Sequence, residues 1–589
     1  MNWHTRDWVV GYVTRRIPKT SRSESYVRMM EAAIPATRAN LDLDWIASGD
    51  VEGYRAREQT NTIGCLAFAW QAEELSCAGD PDLLEDLRQA YLGVANHITD
   101  DGRFIWPNDK DMYWAGSHEH AWRLEPLLFG WLWAGDAFQD HDREMIEAAL
   151  VRASDWLIAN PCDEDNNRGA VWCAITALCG ILFDRQDALV QAEALGRRIF
   201  PAVVLEDGEI GEHTEQYAGG GPCTNYTYTG LGYVYLYLLL SDADWLEERL
   251  YDGMCWLARF NTIDGRPLAT GASVRSASPR SPIQDALPVL ERFSGRDAFF
   301  GHLATHYAAN VEEAGGRFGG HITSPLIWAS LAAQNENASE RPEWFQNRLN
   351  VYTRPNVCYA LYSGRYQAGV TFRSRKGPYR DIPEEGVPFR GLQAVSWEDE
   401  PPLVFQTRGL PSSIYLGELR SNLVDVKDAD RDVRLSSSDT GHVLRERKGP
   451  LVITYVFLHA TLLVRMSSRD GSRIRTFWTL GGDGTEEVAL EIDPGVVALA
   501  GRQGRLYFSQ GDAKVYRHTE ADETRWVLDV IADPPVTFAF SDRHFSFDSV
   551  DSNDLVRITD SAGTLEVDFD LIDSSDGEQS VPESVLRFV

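Results

Sequence analysis

Two short stretches of this chain hold residues whose types and spacing suit proton chemistry beside a carboxylate. The first is Asp165-Asn166-Asn167-Arg168-Gly169-Ala170-Val171-Trp172-Cys173, where a polar turn runs into an apolar helical pattern. A helix start presents unpaired backbone N–H groups and a partial positive charge. Asn side chains add neutral donors, and Arg adds a planar fork matched to a carboxylate. The plainer reading is that Asn166 caps the helix. The second stretch is Asp207-Gly208-Glu209-Ile210-Gly211-Glu212-His213, followed by a Gly-rich run to Pro222 and then Cys223-Thr224-Asn225-Tyr226-Thr227-Tyr228-Thr229-Gly230. It delivers an imidazole, carboxylates and tyrosines to the mouth of another helix. Here the plainer reading is a helix connection whose tyrosines pack in a core.

A third cluster comprises Trp106, Asp111, Tyr113, Trp114, the triplet His118-Glu119-His120, and Trp122. Its aromatic faces suit sugar rings, and His or Arg can pair with uronates. H-x-H spacing suits a metal, but no third ligand is evident in the sequence, so no metal is expected. Arg275, Arg280 and Arg373 are further carboxylate-gripping options. Core aromatics with surface histidines are the plainer alternative.

Positioning these groups takes a large scaffold. The chain has 589 residues, enough for two or more domains. From about residue 24 to 335, apolar residues recur at three and four spacing, as in Leu83–Ile98, Ala121–Phe138, Arg143–Ile158, Trp172–Phe183 and Leu189–Phe200. Around a dozen helices in antiparallel pairs are predicted, without a strict repeat. Beyond about residue 340 the period becomes two. Short strands are predicted at Val357–Tyr362, Gln367–Arg373, Leu451–Phe457, Thr461–Met466, Ile474–Thr479, Val488–Ile492, Leu506–Ser509, Trp526–Ile531, Val536–Phe540, Leu555–Thr559 and Leu565–Leu571. Arg341-Pro342-Glu343-Trp344 marks the linker. Helices followed by strands imply two packed domains rather than an alternating α/β fold. The expected division is residues 1–338 and 339–589.

The net charge of −32 argues against nucleic acid, whose phosphates need basic surface. For a polyanionic substrate, a local basic cleft has to overcome the global field. Only six of the 56 basic residues are Lys, and strong acidity with so little Lys suits a salt-adapted or GC-rich source. No apolar run reaches the roughly 18 residues that span a membrane, and the first residues lack a signal-peptide pattern, so a cytoplasmic location is expected. None of the eight cysteines forms a CxxC pair, so neither a zinc framework nor a disulfide framework is indicated.

Taken together, the two motifs and the domain order resemble a family. It is that of the polysaccharide lyases built from an (α/α) toroid followed by an antiparallel β-sandwich, the heparinase II/III-like and alginate-lyase-like groups in particular. Asn166-Asn167-Arg168 with Trp172 is similar to their Asn-Asn-His or Asn-Asn-Trp helix start. Asp207-Gly208, Glu212 and Tyr226 or Tyr228 are similar to their Asp-Gly…Glu…Tyr segment, which supplies a catalytic tyrosine. Arg168 departs from the His often found at its position. The His-x-His-x-Asp strand of several relatives is also missing, the nearest comparable segment being Gly391–Trp397, with His442 and His459 nearby.

The resemblance implies β-elimination on an acidic polysaccharide or oligosaccharide, leaving a 4,5-unsaturated uronate, without a cofactor. Asn167, with Asn166 or Arg168, would neutralise the uronate carboxylate so that an enolate-like state can form. Tyr226, or Tyr228 in its place, would transfer the proton, and His213 would act as base or helper, oriented by Glu212. Trp106, Trp114, Trp172, His118 and His120 would contact the sugar. Three alternatives stay open. A hydrolase would use Glu212 with Asp207 or Glu119. A uronyl C5-epimerase would share only the proton abstraction, and a sugar-binding protein would need only the tryptophans.

Overall fold

The computed structural model describes residues 1–48, 53–104, 116–204, 224–259, 261, 265 and 284–334 except 317 and 320–322, and beyond them the strands given below with adjoining turns. At 53–55, 224–229 and 259, and in many of the strands, it describes the backbone alone. The chain divides into two compact units, the larger parts of which are Met1–Ala258 with Pro282–Glu340, and Arg341–Val589.

The first unit is helical: α1 (Arg6–Val13), α2 (Ser21–Asn40), α3 (Leu43–Ser48), α4 (Gly53–Gln71), α5 (Pro81–Asn96), α6 (Ser117–Ala134) and α7 (Asp140–Ala159), then α8 (Asn167–Leu182), α9 (Gln186–Val203), α10 (Thr224–Leu239), α11 (Asp244–Arg259), α12 (Leu287–Ser294), α13 (Ala298–Glu313) and α14 (Pro325–Ala332). Local chemistry sets many ends. Thr20 caps α2 through a reciprocal Thr20–Ser23 box, and Asp80 with Pro81 starts α5. Asn160-Pro161 follows the end of α7, since Pro cannot continue a helix.

Helices α4, α6, α8, α10, α12 and α14 pack against one another in sequence, and α2 bridges α14 and α4. The middle members are buried almost all round: nearly every side chain of α6 and α8 is inaccessible. By contrast α9, which packs on α8, shows a buried stripe of Ala188, Leu189, Ala192, Gly196, Ile199, Phe200 and Val203 opposite a charged face. Inner helices wrapped by outer amphipathic ones make the (α/α) toroid.

Cross-helix contacts fix the directions. Arg57 lies against Glu119 and Gly64 against Pro126, so α4 and α6 run parallel. A Cβ on Gly64 would sit 2.7 Å from the Pro126 carbonyl oxygen, which is why that position is glycine. Gly169 meets Ile199 and Gly180 meets Leu189, so α9 runs antiparallel to α8. Gly230 meets Val203 and Gly196 meets Tyr237, so α9 is antiparallel to α10 as well. Helices α8 and α10 are therefore parallel, and position 226 lies at the same end of the bundle as Asn167.

The second unit is antiparallel throughout its described strands. One sheet orders Asn350–Arg354, Cys358–Tyr362, Tyr366–Thr371, Gly391–Trp397, Val404–Phe405, Ile474–Leu480, Glu523–Ala532 and Asp512–Glu520, with Ser413–Leu416 also on Ile474–Leu480. The other orders Leu490–Asp493, Val496–Leu499, Arg505–Phe508, Val536–Ser541, Thr461–Ser468, Leu451–Phe457, Gly441–Lys448 and Arg431–Ser438. Their facing side chains form one core, with Trp478 edge-on to Phe538 at 4.5 Å. A further sheet, Ser546–Val550, Leu555–Asp560, Gly563–Asp568 and Leu586–Phe588, covers the other face of the second sheet through Val443, Val456, Leu463, Val556 and Val567. Leu451–Phe457 is buried at every position because it is covered on both faces. The sequence reading expected an antiparallel sandwich and placed Leu555–Thr559 and Leu565–Leu571 as strands, without specifying that they form a further layer. It missed the long hairpin Arg431–Ser438/Gly441–Lys448, whose charged residues hide the alternation.

Candidate active site at the start of α8

The turn 160–166 is tied back on itself. Asn166 is the N-cap: its backbone is extended, and its Oδ1 accepts the Arg168 N–H at 2.8 Å. Its Nδ2 donates to Glu164 Oε2 at 3.0 Å, and its backbone N–H donates to the Glu164 carbonyl at 2.9 Å. Arg198 donates to the Asp163 carbonyl at 2.7 Å and pairs with Asp165. A Cβ at Gly169 would stand 2.0 Å from the Glu164 carbonyl oxygen, so only glycine lets the turn fold onto the first helical residues.

This arrangement leaves Asn167 in an unusual state. It is 5% exposed, and among the described residues its Nδ2 has no hydrogen-bond partner. A buried donor without an acceptor costs roughly 1–3 kcal/mol. Arg168 is 19% exposed and pairs with Glu164 at 3.3 Å.

Helix α6 supplies the adjoining wall. His118 is buried, edge-on to Trp122 at 5.3 Å. The Arg57 guanidinium lies over the Trp122 ring at 5.2 Å and 4.0 Å from Glu119. Burial first, then the positive charge of Arg168, pushes His118 down to about 4, with Arg57 and Arg123 adding to the effect and Glu164 opposing it. The imidazole is thus neutral near pH 7, able to accept or donate a hydrogen bond but not to form an ion pair with a uronate. Arg57, Arg123 and Arg168 all act on His118, with Glu164 opposing them, Arg168 paired with Glu164 and Arg57 set against Glu119.

Three expectations are corrected. Trp172 is fully buried and its indole donates to the Leu157 carbonyl at 3.0 Å, so it packs α8 on α7 and stacks on no sugar. His120 is buried between Phe104 and Trp156, its Nε2 bonded to the Ala153 carbonyl at 2.8 Å. Burial lowers it to about 3, the signature of an internal, structural imidazole. Asn166 has both ends of its amide engaged in the cap, so it holds the turn instead of presenting donors to a substrate. These side chains face inward because α6 and α8 are enclosed on all sides, which one-sided amphipathic reasoning did not anticipate.

Tyr226 and Tyr228 fall in the first turns of α10, where the backbone alone is described. Trp106, Asp111, Tyr113, Trp114, Asp207, Glu212, His213, Arg275, Arg280, Arg373 and the linker Arg341–Trp344 lie outside the described residues. Arg57, Cys162 and Glu164 escaped the sequence reading. Arg57 sits some sixty residues upstream of its neighbours with no motif around it. Cys162 and Glu164 are joined by a Cys-x-Glu spacing that is visible in the sequence. Gly391–Trp397 is a strand, His442 lies in Gly441–Lys448, and His459 is exposed in the turn after Leu451–Phe457. No described helix is long and apolar enough to cross a membrane.

The architecture of an (α/α) toroid with an antiparallel sandwich is that of solved polysaccharide lyases. The chain is similar to a chondroitin AC lyase of Streptomyces coelicolor, solved with chondroitin sulphate: 14% identity, TM-score 0.57, covering 96% of this chain and 88% of the other. It is also similar to a Paenibacillus xanthan lyase, at 11% identity and TM-score 0.62 over 96% of this chain and 63% of that one. A variant of a heparan sulfate lyase from Pedobacter heparinus matches at 11% identity and TM-score 0.53, over 88% and 83%. No family profile and no curated protein sequence matches the chain. At these identities the likeness establishes the shared fold.

Proposed function

We propose that this protein is a polysaccharide lyase that cleaves uronate-containing glycans by β-elimination, leaving a 4,5-unsaturated uronate. One observation carries the reading: Asn167 holds a buried amide donor with no partner among the described residues, at a helix start, beside Arg168 and a neutral His118. In β-elimination the C5 proton is removed next to a carboxylate, and the negative charge that develops must be neutralised in place. A preorganised amide N–H and a helix N-terminus do this without exchanging protons with the substrate. Tyr226 is the proposed proton-transfer group, taking the C5 proton and protonating the departing 4-oxygen, with Tyr228 as the alternate and His213 as the helper. The register that brings position 226 to the level of Asn167 supports that assignment. The shared fold adds support, because the similar structures are of enzymes that act on chondroitin sulphate, xanthan and heparan sulfate. Trp106, Trp114 and Glu212 are proposed to line the sugar path, and the division near residue 338 to separate a catalytic from a supporting domain.

The test is a screen of uronate polymers followed by the ultraviolet absorbance of the new C4–C5 double bond. Rising absorbance with one unsaturated end per cleavage is the expected result. Reducing ends without absorbance, carrying solvent oxygen at the anomeric carbon, would replace the lyase by a hydrolase. Inverted C5 with no chain cleavage would mark an epimerase.

A further inference from the structure

The ligating atoms of His118, Cys162 and Glu164 lie within 4.8 Å of one another. They come from two elements, the first turn of α6 and the turn that precedes α8, and His118 and Cys162 are each more than nine-tenths buried. We propose that these three side chains form a binding site for a divalent metal of the zinc class, with a water completing the shell.

The donor set is the argument. An imidazole nitrogen, a thiolate and a carboxylate oxygen together suit zinc or cobalt, whereas calcium and magnesium prefer oxygen ligands alone. Tetrahedral bonds of about 2.0–2.3 Å place donors roughly 3.3–3.8 Å apart, so closing the site needs any pair of donors to approach by at most about 1.5 Å. Side-chain rotation about a fixed backbone supplies that. The outer shell is already in place. Asn166 Nδ2 holds Glu164 Oε2 at 3.0 Å, and Arg168 approaches both Glu164 oxygens. Such contacts orient a ligating carboxylate while leaving it lone pairs for a metal. On binding, the Cys162 thiol loses its proton to solvent and its sulfur electron pair forms the metal–sulfur bond. Two anionic ligands then balance the dication, and Arg168 remains paired with the carboxylate.

The consequence is mechanical. The metal would staple α6 to the turn whose cap sets the position of Asn167. The site shares His118 with the proposed lyase site, but its test reads metal binding and not turnover, so the two proposals fail separately.

The experiment is a titration of chelator-treated full-length protein with Co(II), followed by competition with Zn(II). The expected result is one equivalent bound, with a thiolate-to-cobalt charge-transfer band that zinc abolishes, and a melting temperature that climbs with zinc concentration. Cys162→Ser should remove the band, and His118→Gln should weaken binding by more than the roughly 10–100-fold typical of outer-shell partners. Because either substitution lies in a packed region, Glu164→Gln, at a partly exposed position, gives a second variant with the same expected loss. A band that persists in Cys162→Ser, or the lack of one-equivalent binding in the wild-type protein, overturns the proposal.

Discussion

Replacing Asn167 by Ala separates a catalytic amide from a structural one, because only the structural role predicts a clear loss of stability with normal turnover. If the Nδ2 group served the fold, its removal would forfeit a hydrogen bond worth about 1 kcal/mol and strand its acceptor. Among the described residues it has no acceptor to strand. Removal therefore relieves an unsatisfied buried donor, a gain of up to about 1–3 kcal/mol, against the loss of a few packed atoms. The expected net is stability unchanged within about 1 kcal/mol, or raised. Turnover moves the other way. Withdrawing one preorganised donor from a developing oxyanion costs on the order of 10²–10³ in kcat, about 2.7–4 kcal/mol. Asn167→Asp keeps the shape but sets a negative charge against the substrate carboxylate, so it should be worse than Ala in turnover. The assays are denaturant unfolding and the ultraviolet rate on the uronate polymer found by the screen. Trp172→Ala is the reference for a core truncation, with an expected loss of about 3–5 kcal/mol in stability. An Asn167→Ala protein that loses several kcal/mol of stability while its folded fraction turns over normally refutes the reasoning.

Two further outcomes are expected. Tyr226→Phe should lower kcat by about 10²–10⁴ with little change in KM, measured by steady-state kinetics; near-normal turnover would move the role to Tyr228 or His213. Glu125 is fully buried on α6 and accepts the Thr323 N–H and hydroxyl just before α14, yet burial outweighs those bonds and pushes its carboxyl up to about 8. A raised folded value means the folded state holds the proton longer. The stabilisation is complete below the ordinary carboxylate value of 4.5 and is lost as pH rises through about 8. Urea unfolding across that window should show a decline of at most roughly 4–5 kcal/mol, and Glu125→Gln should flatten it; an unchanged profile in the variant would assign the decline to another group.

The sequence alone determined the order of the architecture. Periodicity of 3.6 gives way to periodicity of two near residue 340, and the helices and most of the strands fall where those periods place them, because a buried stripe on an amphipathic element must repeat with its backbone. The Asn166–Arg168 helix start was legible too, since a cap is encoded within a few residues. Tertiary structure decided the rest. Which histidine of His118-Glu119-His120 reaches the site depends on what packs around α6: Ala153 and Trp156 of α7 claim His120, while Arg57 and Arg168 surround His118. Trp172 reads as a sugar platform in one dimension and is core in three, because α8 is enclosed on every side. Arg57 belongs to α4 and Cys162 and Glu164 to the turn before α8, and their shared approach to His118 of α6 joins elements that are far apart in the sequence.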